Sequence, residues 1–348
     1  MEGASIIMKK LGSFRLTLLV AILLFASSFY YLPFYVSKPG MAKELEPIIE
    51  VDGGYEEDGS FMLTTIRMGR ANIYSYLLAH FSDYQEIHPV EEIRGENETD
   101  EEYTVRQLHM MDSSKTNAIE VAYKSAGLPI DYNYKGVYVL QVVPGMPAEG
   151  KLTAGDRVVE VDGKRFNSST EFIEYVGDKQ AGDEVTLTVD KKGKESELVL
   201  ALKKFDESSE KVGIGISLVD DKEIEVEPKV EVETDEIGGP SAGLMFSLEI
   251  YNQLVEIDLT KGYEIAGTGT ISPDGTVGRI GGIEKKIVAA DKAGAEIFLA
   301  PNEEGAEDSN YKAAVRAAED IDTSMKIIPI DTFEDAVSYL EKLDPKTS

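Results

Sequence analysis

The chain begins with one long apolar run, and shorter periodic segments follow it. From Leu16 to Val36 the sequence LTLLVAILLFASSFYYLPFYV contains no charged residue. As a helix these 21 residues would extend roughly 30 Å at about 1.5 Å per residue, close to the thickness of the hydrocarbon core of a bilayer. The pattern predicts an uncleaved transmembrane helix over residues 16–36, preceded by a basic tail over residues 1–15.

The charges on either side of this run predict its orientation. Lys9, Lys10 and Arg15 precede it and mainly acidic sequence follows, so the positive-inside rule places the N-terminus in the cytoplasm. A single-pass protein of the cell membrane, with most of the chain extracytoplasmic, is therefore expected. A cleaved signal peptide is the alternative, because Ala26–Ser28 offers small residues at a plausible cleavage site. The apolar run extends past that site and favours the anchor.

Residues 37–130 form an acidic region that we predict to connect the anchor to the rest of the chain. The run Phe61–Ile66 predicts a strand, and helices are predicted over Ala71–Phe81 and Lys115–Lys124.

From residue 131 to residue 204 the pattern changes to short apolar strands separated by glycine turns. Strands are predicted at Gly136–Val143, Val185–Val189 and Leu198–Leu202, with one helix over Ser169–Val176. This combination is typical of a small α+β domain with a barrel-like sheet.

Residues 205–348 contain alternating strands and helices. After a glycine-rich turn, apolar residues recur at helical spacing from Leu244 to Val255, which predicts a buried helix. A second helix is predicted over Glu284–Ala293. The predicted fold class is thus α+β and multidomain, with an N-terminal transmembrane helix before two folded domains.

Composition limits the chemistry available. The chain has no cysteine, so disulfides, thiolate zinc sites and cysteine nucleophiles are excluded. Its net charge of −29 disfavours nucleic acid as a partner. His80, His88 and His109 all lie in the first third, at spacings that do not suggest a metal site. No Ser-His-Asp triad can therefore be built from residues 205–348, and neither a metal nor a cofactor is expected.

A serine and a lysine remain as candidate catalytic residues. Ser241 lies in the sequence GGPSAG at the predicted mouth of a helix, where free backbone N–H groups suit a developing oxyanion. Gly239 and Ala242 are the candidate backbone donors. Serine is also common as a helix cap, so a structural role stays open for Ser241.

The helical wheel of the second helix separates two adjacent lysines. Lys286 falls on the small apolar stripe, whereas Lys285 falls on the opposite side, which we predict to be solvated. A buried lysine has a lowered pKa and can act as a general base in place of histidine. The alternative is that Lys286 extends along its own helix to reach solvent.

Residues 131–204 resemble a PDZ domain of the bacterial protease type. The resemblance rests on the run Pro144–Ala148 and on Gly155-Asp156 before the run Val158–Gly163. It implies binding of an extended peptide, often a C-terminus, as an added strand. The carboxylate-binding loop would lie around Tyr134–Val137. Phe172, Ile173 and Val176 would line the groove. An ordinary small barrel without peptide binding is the alternative.

The C-terminal motifs resemble the proteolytic domain of Lon-type serine peptidases. They are Gly239–Gly243, Gly267–Gly269 and Gly281–Lys286, in the same order and at matching spacing. The resemblance implies that Ser241 is the nucleophile, that Lys286 is the base, and that Thr268 contributes a hydroxyl near the lysine. The order of anchor, PDZ-like and Lon-like segments also resembles a bacterial family of membrane-anchored, PDZ-containing Lon-like proteases.

Two departures from Lon proper are visible. The sequence contains no Gly-x-x-x-x-Gly-Lys-Ser/Thr phosphate loop, and Gly238 stands where Lon has an acidic residue. The expected function is therefore ATP-independent cleavage of peptides or membrane-proximal proteins by a serine endopeptidase, with the PDZ-like domain selecting substrates and a homo-oligomer allowed. The alternatives are a non-catalytic PDZ scaffold and another type of Ser-Lys hydrolase.

Overall fold

The computed structural model describes residues 17–95, 98–191, 193–205, 211–234 and 237–346. The chain divides into two compact units, whose described parts are residues 17–40 with 65–95 and residues 41–64 with 98–346.

The strands, in chain order, are β1 (Tyr31–Glu44), β2 (Ile49–Val51), β3 (Ser60–Asn72), β4 (Glu86–Pro89), β5 (Ile130–Val142), β6 (Arg157–Val161), β7 (Lys164–Arg165), β8 (Glu184–Lys191), β9 (Lys194–Ala201), β10 (Lys203–Lys204), β11 (Val212–Gly213), β12 (Ile216–Val226), β13 (Val230–Val232), β14 (Glu264–Gly267), β15 (Thr270–Ile271), β16 (Val277–Gly278), β17 (Ile297–Pro301) and β18 (Lys326–Ile330). The helices are α1 (residues 17–27), α2 (Ile73–Ala79), α3 (Val90–Ile93), α4 (Asp100–Ser125), α5 (Ser169–Gly177), α6 (Gly243–Leu254), α7 (Ile283–Ala293), α8 (Asn310–Asp320) and α9 (Phe333–Glu341), with a 3₁₀ turn at Glu303–Gly305.

The predicted transmembrane helix over residues 16–36 is wrong. Helix α1 ends at residue 27, and the chain enters β1 at Tyr31, where Tyr35 and Val36 are buried in a sheet. Within the described ranges, no helix is both long enough and apolar enough to cross a bilayer. The predicted membrane location and orientation depended on that span and are withdrawn. The basic tail of residues 1–15 lies outside the described residues.

The first unit has a small core of its own. β1 pairs antiparallel with β4 from Phe34 opposite Pro89 to Ser37 opposite Glu86. Val36, Ala71 and Ala79 form a buried apolar cluster within its described residues.

The second unit contains a parallel sheet in the order β18-β17-β14-β3. Successive side chains of a strand point to opposite faces, and both faces of this sheet are covered. On β3, Phe61 and Leu63 enter a core with α4, α6 and α9, whereas Met62 enters a core with α7 and α8. The predicted strand at Phe61–Ile66 is confirmed as part of β3. Residues 41–64 belong to the same compact unit as the C-terminal helices, although we predicted them to be a connection.

A second sheet, in the order β12-β5-β6-β8-β9, forms the small α+β domain. Its neighbours pair antiparallel around a core of short aliphatic side chains and phenylalanines. The predicted helix and strands of this region are confirmed by α5, β5, β8 and β9.

The predicted peptide groove of this domain needs correction. Residues 134–137 lie inside β5, which pairs with β12 on one side and β6 on the other, so they form no loop. Phe172 and Val176 are buried in the core, and Ile173 is 56% exposed. Among the described strands, β12 ends the sheet, and the N–H of Ser169 at the start of α5 donates to an Asp220 carboxylate oxygen on β12.

Candidate active site

Ser241 lies in the turn that leads into α6. Gly239 has a φ of +90°, a conformation that favours glycine, and α6 begins at Gly243 with Ala242 as its N-cap. The serine therefore lies just before the helix, at its mouth, and not within its first turn. No side chain caps this helix, so the capping role that the sequence left open for Ser241 is not supported.

Helix α4 holds this turn from one side. The N–H of Gly239 donates to the carbonyl oxygen of Gln107 at 2.8 Å, and the Ser114 hydroxyl donates to the carbonyl oxygen of Pro240 at 3.0 Å. A Cβ at Gly243 would lie 2.6 Å from Cγ2 of Ile271 and 2.8 Å from Oγ of Ser114. Only glycine fits there without displacement, which explains the small residue after the serine turn.

Lys286 reaches the same place from α7. This helix starts after Gly282, whose φ is +68°. Nζ of Lys286 lies 3.0 Å from Oγ of Ser241 and donates to the carbonyl oxygen of Thr64 at 2.7 Å. The side chain is only 2% exposed. The alternative in which Lys286 reaches solvent is therefore wrong.

Burial determines the charge of this lysine. Loss of hydration lowers the pKa of Lys286 from 10.5 to about 7. At pH values above about 7 the amine is mostly neutral, and it then carries a lone pair that can accept a proton. The pair has the geometry and the protonation state of a nucleophile and its base.

Thr268 lies at the site but contacts a different atom from the one expected. Its hydroxyl donates to the main-chain carbonyl of Ser241 at 2.9 Å, and the N–H of Gly269 donates to the same oxygen at 2.9 Å. The N–H of Thr268 in turn donates to the carbonyl oxygen of Leu299 at 3.1 Å. Thr268 thus fixes the backbone of the serine against the parallel sheet.

The two predicted backbone donors differ in availability. The N–H of Gly239 is already bonded to Gln107. The N–H groups of Ser241 and Ala242 have no acceptor within the described part of the chain. They lie at the N-terminal end of α6, where the helix dipole is positive.

Lys285 is also buried, at 2% exposure, so its predicted solvated position is wrong. Of the two lysines, only Lys286 contacts Ser241 among the hydrogen bonds of the described residues. Neighbouring elements cover α7 on most sides, and five consecutive residues after Lys285 are buried too.

Thr64, Gln107 and Ser114 were missed by the sequence reasoning. Thr64 and Gln107 act through main-chain carbonyl groups. Every residue type has this group, so the sequence does not show which residues use it. Ser114 is one serine in an ordinary helical segment. Only its position relative to the folded turn shows what it does.

The comparisons with known proteins find both of the families that the sequence resembles. The family model of the PDZ domain matches residues 111–202, and that of the Lon protease (S16) C-terminal proteolytic domain matches residues 177–341. The Lon protease of Campylobacter concisus is 35% identical over 100 residues, which are 28% of this chain and 11% of that protein. The Lon protease of Endomicrobium trichonymphae is 28% identical over 178 residues, 47% of this chain and 21% of that protein.

The chain therefore spans a minor part of the length of these Lon relatives. Among solved structures, the PDZ domain of the SdrC-like protein from Listeria monocytogenes is 40% identical and covers 25% of this chain and 90% of that one, with a TM-score of 0.24. The family models and the protease-named relatives support a peptidase. This chain contains a PDZ domain and a Lon-type C-terminal proteolytic domain.

Proposed function

We propose that this chain is an ATP-independent serine endopeptidase that uses Ser241 and Lys286 as a catalytic dyad. The observation that carries the proposal is the 3.0 Å contact between Oγ of Ser241 and the buried Nζ of Lys286. The sequence has no phosphate-loop motif, so cleavage by this chain needs no nucleotide. Its substrates are then short, flexible or already unfolded polypeptides.

The first chemical step is proton transfer. One N–H of the neutral amine is held by the carbonyl oxygen of Thr64, which turns the nitrogen lone pair towards Oγ of Ser241. As Oγ attacks the scissile carbonyl carbon, its proton passes to Nζ. The resulting ammonium returns a proton to the leaving amine, and the C–N bond breaks to give an acyl-enzyme. A water molecule then gives a proton to the amine of Lys286 and attacks the carbonyl carbon of this ester. The C–O bond to Ser241 breaks, and the lysine returns the proton to Oγ.

The negative charge of the tetrahedral intermediate needs donors close to Ser241. The N–H groups of Ser241 and Ala242 are free of other acceptors within the described residues and lie at the positive end of α6. They fit an oxyanion hole better than the N–H of Gly239, which α4 engages. Thr268 acts as a positioning residue because its hydroxyl holds the carbonyl of Ser241.

The PDZ domain selects substrates by accepting an extended segment beside β12. Support comes from the position of β12 at the end of its sheet and from α5 beside it, since an added strand needs an open edge. Ile173 on α5 is exposed. Changing Ile173 to Asp should therefore raise KM for a long unfolded protein and leave KM for a short peptide unchanged. Equal effects on both substrates would refute selection by this groove.

The dyad is tested by product analysis with casein as an unfolded substrate. Ser241→Ala and Lys286→Met should each abolish cleavage, as judged by mass spectrometry of the products. The matched controls are Ser247→Ala, a buried serine further along α6, and Lys292→Ala, an exposed lysine on α7. Both controls should keep activity. A folded Lys286→Met chain that still cleaves casein would refute the dyad, and a wild-type chain without activity would favour the non-catalytic scaffold.

A further inference from the structure

A second concave site lies beside the C-terminal half of α6. It is a cavity of about 520 Å³ between this helix, β2, β13 and the loop of residues 53–57. Seven of its fifteen lining residues are glutamates, and none is lysine or arginine. Glu249 is six residues beyond Gly243, the first residue of α6, about 9 Å along the helix axis, and neither Ser241 nor Lys286 lines the cavity. The cavity is therefore separate from the dyad.

Glu249 is the most deeply buried of these acids, with no exposed surface. Its Oε1 accepts a hydrogen bond from Nε2 of Gln253 at 2.5 Å. Its Oε2 is buried and has no partner among the described residues. Gln253 cannot donate to this oxygen, because both N–H groups of its Nε2 are used, one by Oε1 of Glu249 and the other by the carbonyl oxygen of Ile49. Its own Oε1 accepts from the N–H of Val51.

Glu57, in the loop of residues 53–57, repeats this arrangement. Its Oε2 accepts from Nδ2 of Asn252 at 2.7 Å, while its Oε1 is buried and unpartnered within the described ranges. Asn252 uses its own oxygen to accept from the N–H of Leu259. Two carboxylates of one cavity therefore each have one satisfied oxygen and one buried oxygen without a donor.

Burial and neighbouring acidic groups disfavour the ionised forms of both glutamates. Burial first, and then repulsion by Glu249 and Asp258, raises the pKa of Glu57 to about 9. Burial and the nearby Glu46 raise the pKa of Glu249 to about 7. A buried carboxylate without a donor is costly, and a cation that offers N–H groups removes that cost.

We propose that this cavity binds a cationic side chain of a polypeptide, an arginine by preference, between Glu249 and Glu57. A guanidinium group carries five N–H donors in a planar fork, which can serve two carboxylate oxygens at once. The cavity lies within the volume range of small-molecule sites, far above the size of a bare metal ion. Among the described residues, no group of three or more His, Cys, Asp or Glu is arranged to hold a metal. This site goes beyond the proposed peptidase activity and is independent of it.

The test is isothermal titration calorimetry at pH 8 on the full chain carrying Ser241→Ala, which removes the proposed nucleophile, and mass spectrometry confirms that the probe remains intact. The probes are capped Ala-Arg-Ala, capped Ala-citrulline-Ala as the uncharged counterpart, and agmatine as a free organic cation. We expect saturable binding of the arginine peptide and none of the citrulline peptide. Glu249→Gln and Glu57→Gln should each weaken it at least tenfold. Glu319→Gln, which removes an exposed carboxylate on α8, should change it less than twofold.

Three results would overturn the proposal. They are no binding of the arginine peptide, equal binding of the citrulline peptide, and unchanged affinity in the folded Glu249→Gln, Glu57→Gln double variant. If the arginine peptide does not bind, binding of agmatine would mean that the cavity takes only a free organic cation, and no binding of agmatine would mean that protons alone neutralise the cavity. Because binding is measured without turnover, these results are independent of whether the dyad is correct.

Discussion

Protonation of Lys286 should control the rate of peptide cleavage. With a pKa of about 7, the amine is about 10% neutral at pH 6 and about 90% neutral at pH 8. We therefore expect kcat/KM to rise roughly tenfold per pH unit below pH 6, to reach half its maximum near pH 7, and to be level above pH 8. At the ordinary value of 10.5, less than about 1% of the amine would be neutral at pH 8.

The assay is kcat/KM for a fluorogenic peptide from pH 5.5 to pH 10, with circular dichroism at each pH to confirm folding. Glu249 and Glu57 also titrate within this pH range, because burial raises the pKa of Glu249 to about 7 and that of Glu57 to about 9, and Glu249 coincides with the midpoint expected for Lys286. The profile is therefore repeated on Glu249→Gln. This variant should keep the same midpoint, because its side chain lies well along α6 from Ser241.

A rate that continues to rise steadily beyond pH 9 in folded protein would show that Lys286 does not titrate near pH 7. Loss of the midpoint near pH 7 in Glu249→Gln would show that the titrating group is the glutamate.

Four further predictions concern single residues. Lys286→Met should raise the free energy of unfolding by up to about 5 kcal/mol at or below pH 7, because the lowered pKa of this lysine means that folding disfavours its charged form. The gain should fade between pH 7 and pH 10.5, and a loss of stability in urea unfolding at pH 6 would contradict this. Thr268→Val should lower kcat by about 10–100-fold with little change in KM. Thr268→Ser keeps the hydroxyl and should retain most of kcat. Equal losses of kcat in both variants would exclude the positioning role. Gly243→Ala should cost about 1–3 kcal/mol of stability and lower kcat, because its Cβ would press on Ile271 and on Ser114 beside the serine turn; wild-type melting and activity would contradict the close approach. Lys285→Ala should cost about 1–3 kcal/mol by chemical denaturation, since the side chain is buried, yet leave kcat of the folded protein within about threefold; a hundredfold loss of kcat would place this lysine in the reaction.

The contact between Ser241 and Lys286 was predictable from sequence because it is made by their side chains. The glycine turn marks Ser241, and the apolar stripe of one helix marks Lys286. By contrast, Thr64 holds the lysine through a main-chain carbonyl, and every residue type has one. A sequence pattern therefore identifies the side chains that meet, but not the backbone atoms that orient them.

The wrong prediction of a transmembrane helix has a physical cause. The apolar run was long enough for a membrane helix, but its second half contains Tyr30, Tyr31, Phe34, Tyr35 and a proline. Aromatic residues favour strands and proline disrupts helices, so β1 takes residues 31–36.

Lys285 was misplaced for a different reason. Helical periodicity gives the relative direction of side chains, but not how many sides of the helix its neighbours cover. The burial of Lys285 and Lys286 together depends on packing around α7 that the periodicity does not contain.

The hydrogen bond between Thr64 and Lys286 has a consequence for the newly synthesised chain. The two residues are 222 positions apart, and bacterial or eukaryotic ribosomes add about 5–20 residues per second. About 10–45 seconds therefore pass between the synthesis of the first residue and that of the second. During most of this interval β3 lacks β14, its parallel neighbour, and Lys286 has not yet been synthesised. Ser241 and Lys286 therefore cannot meet until most of the chain has been made, and the proposed peptidase is inactive before that point.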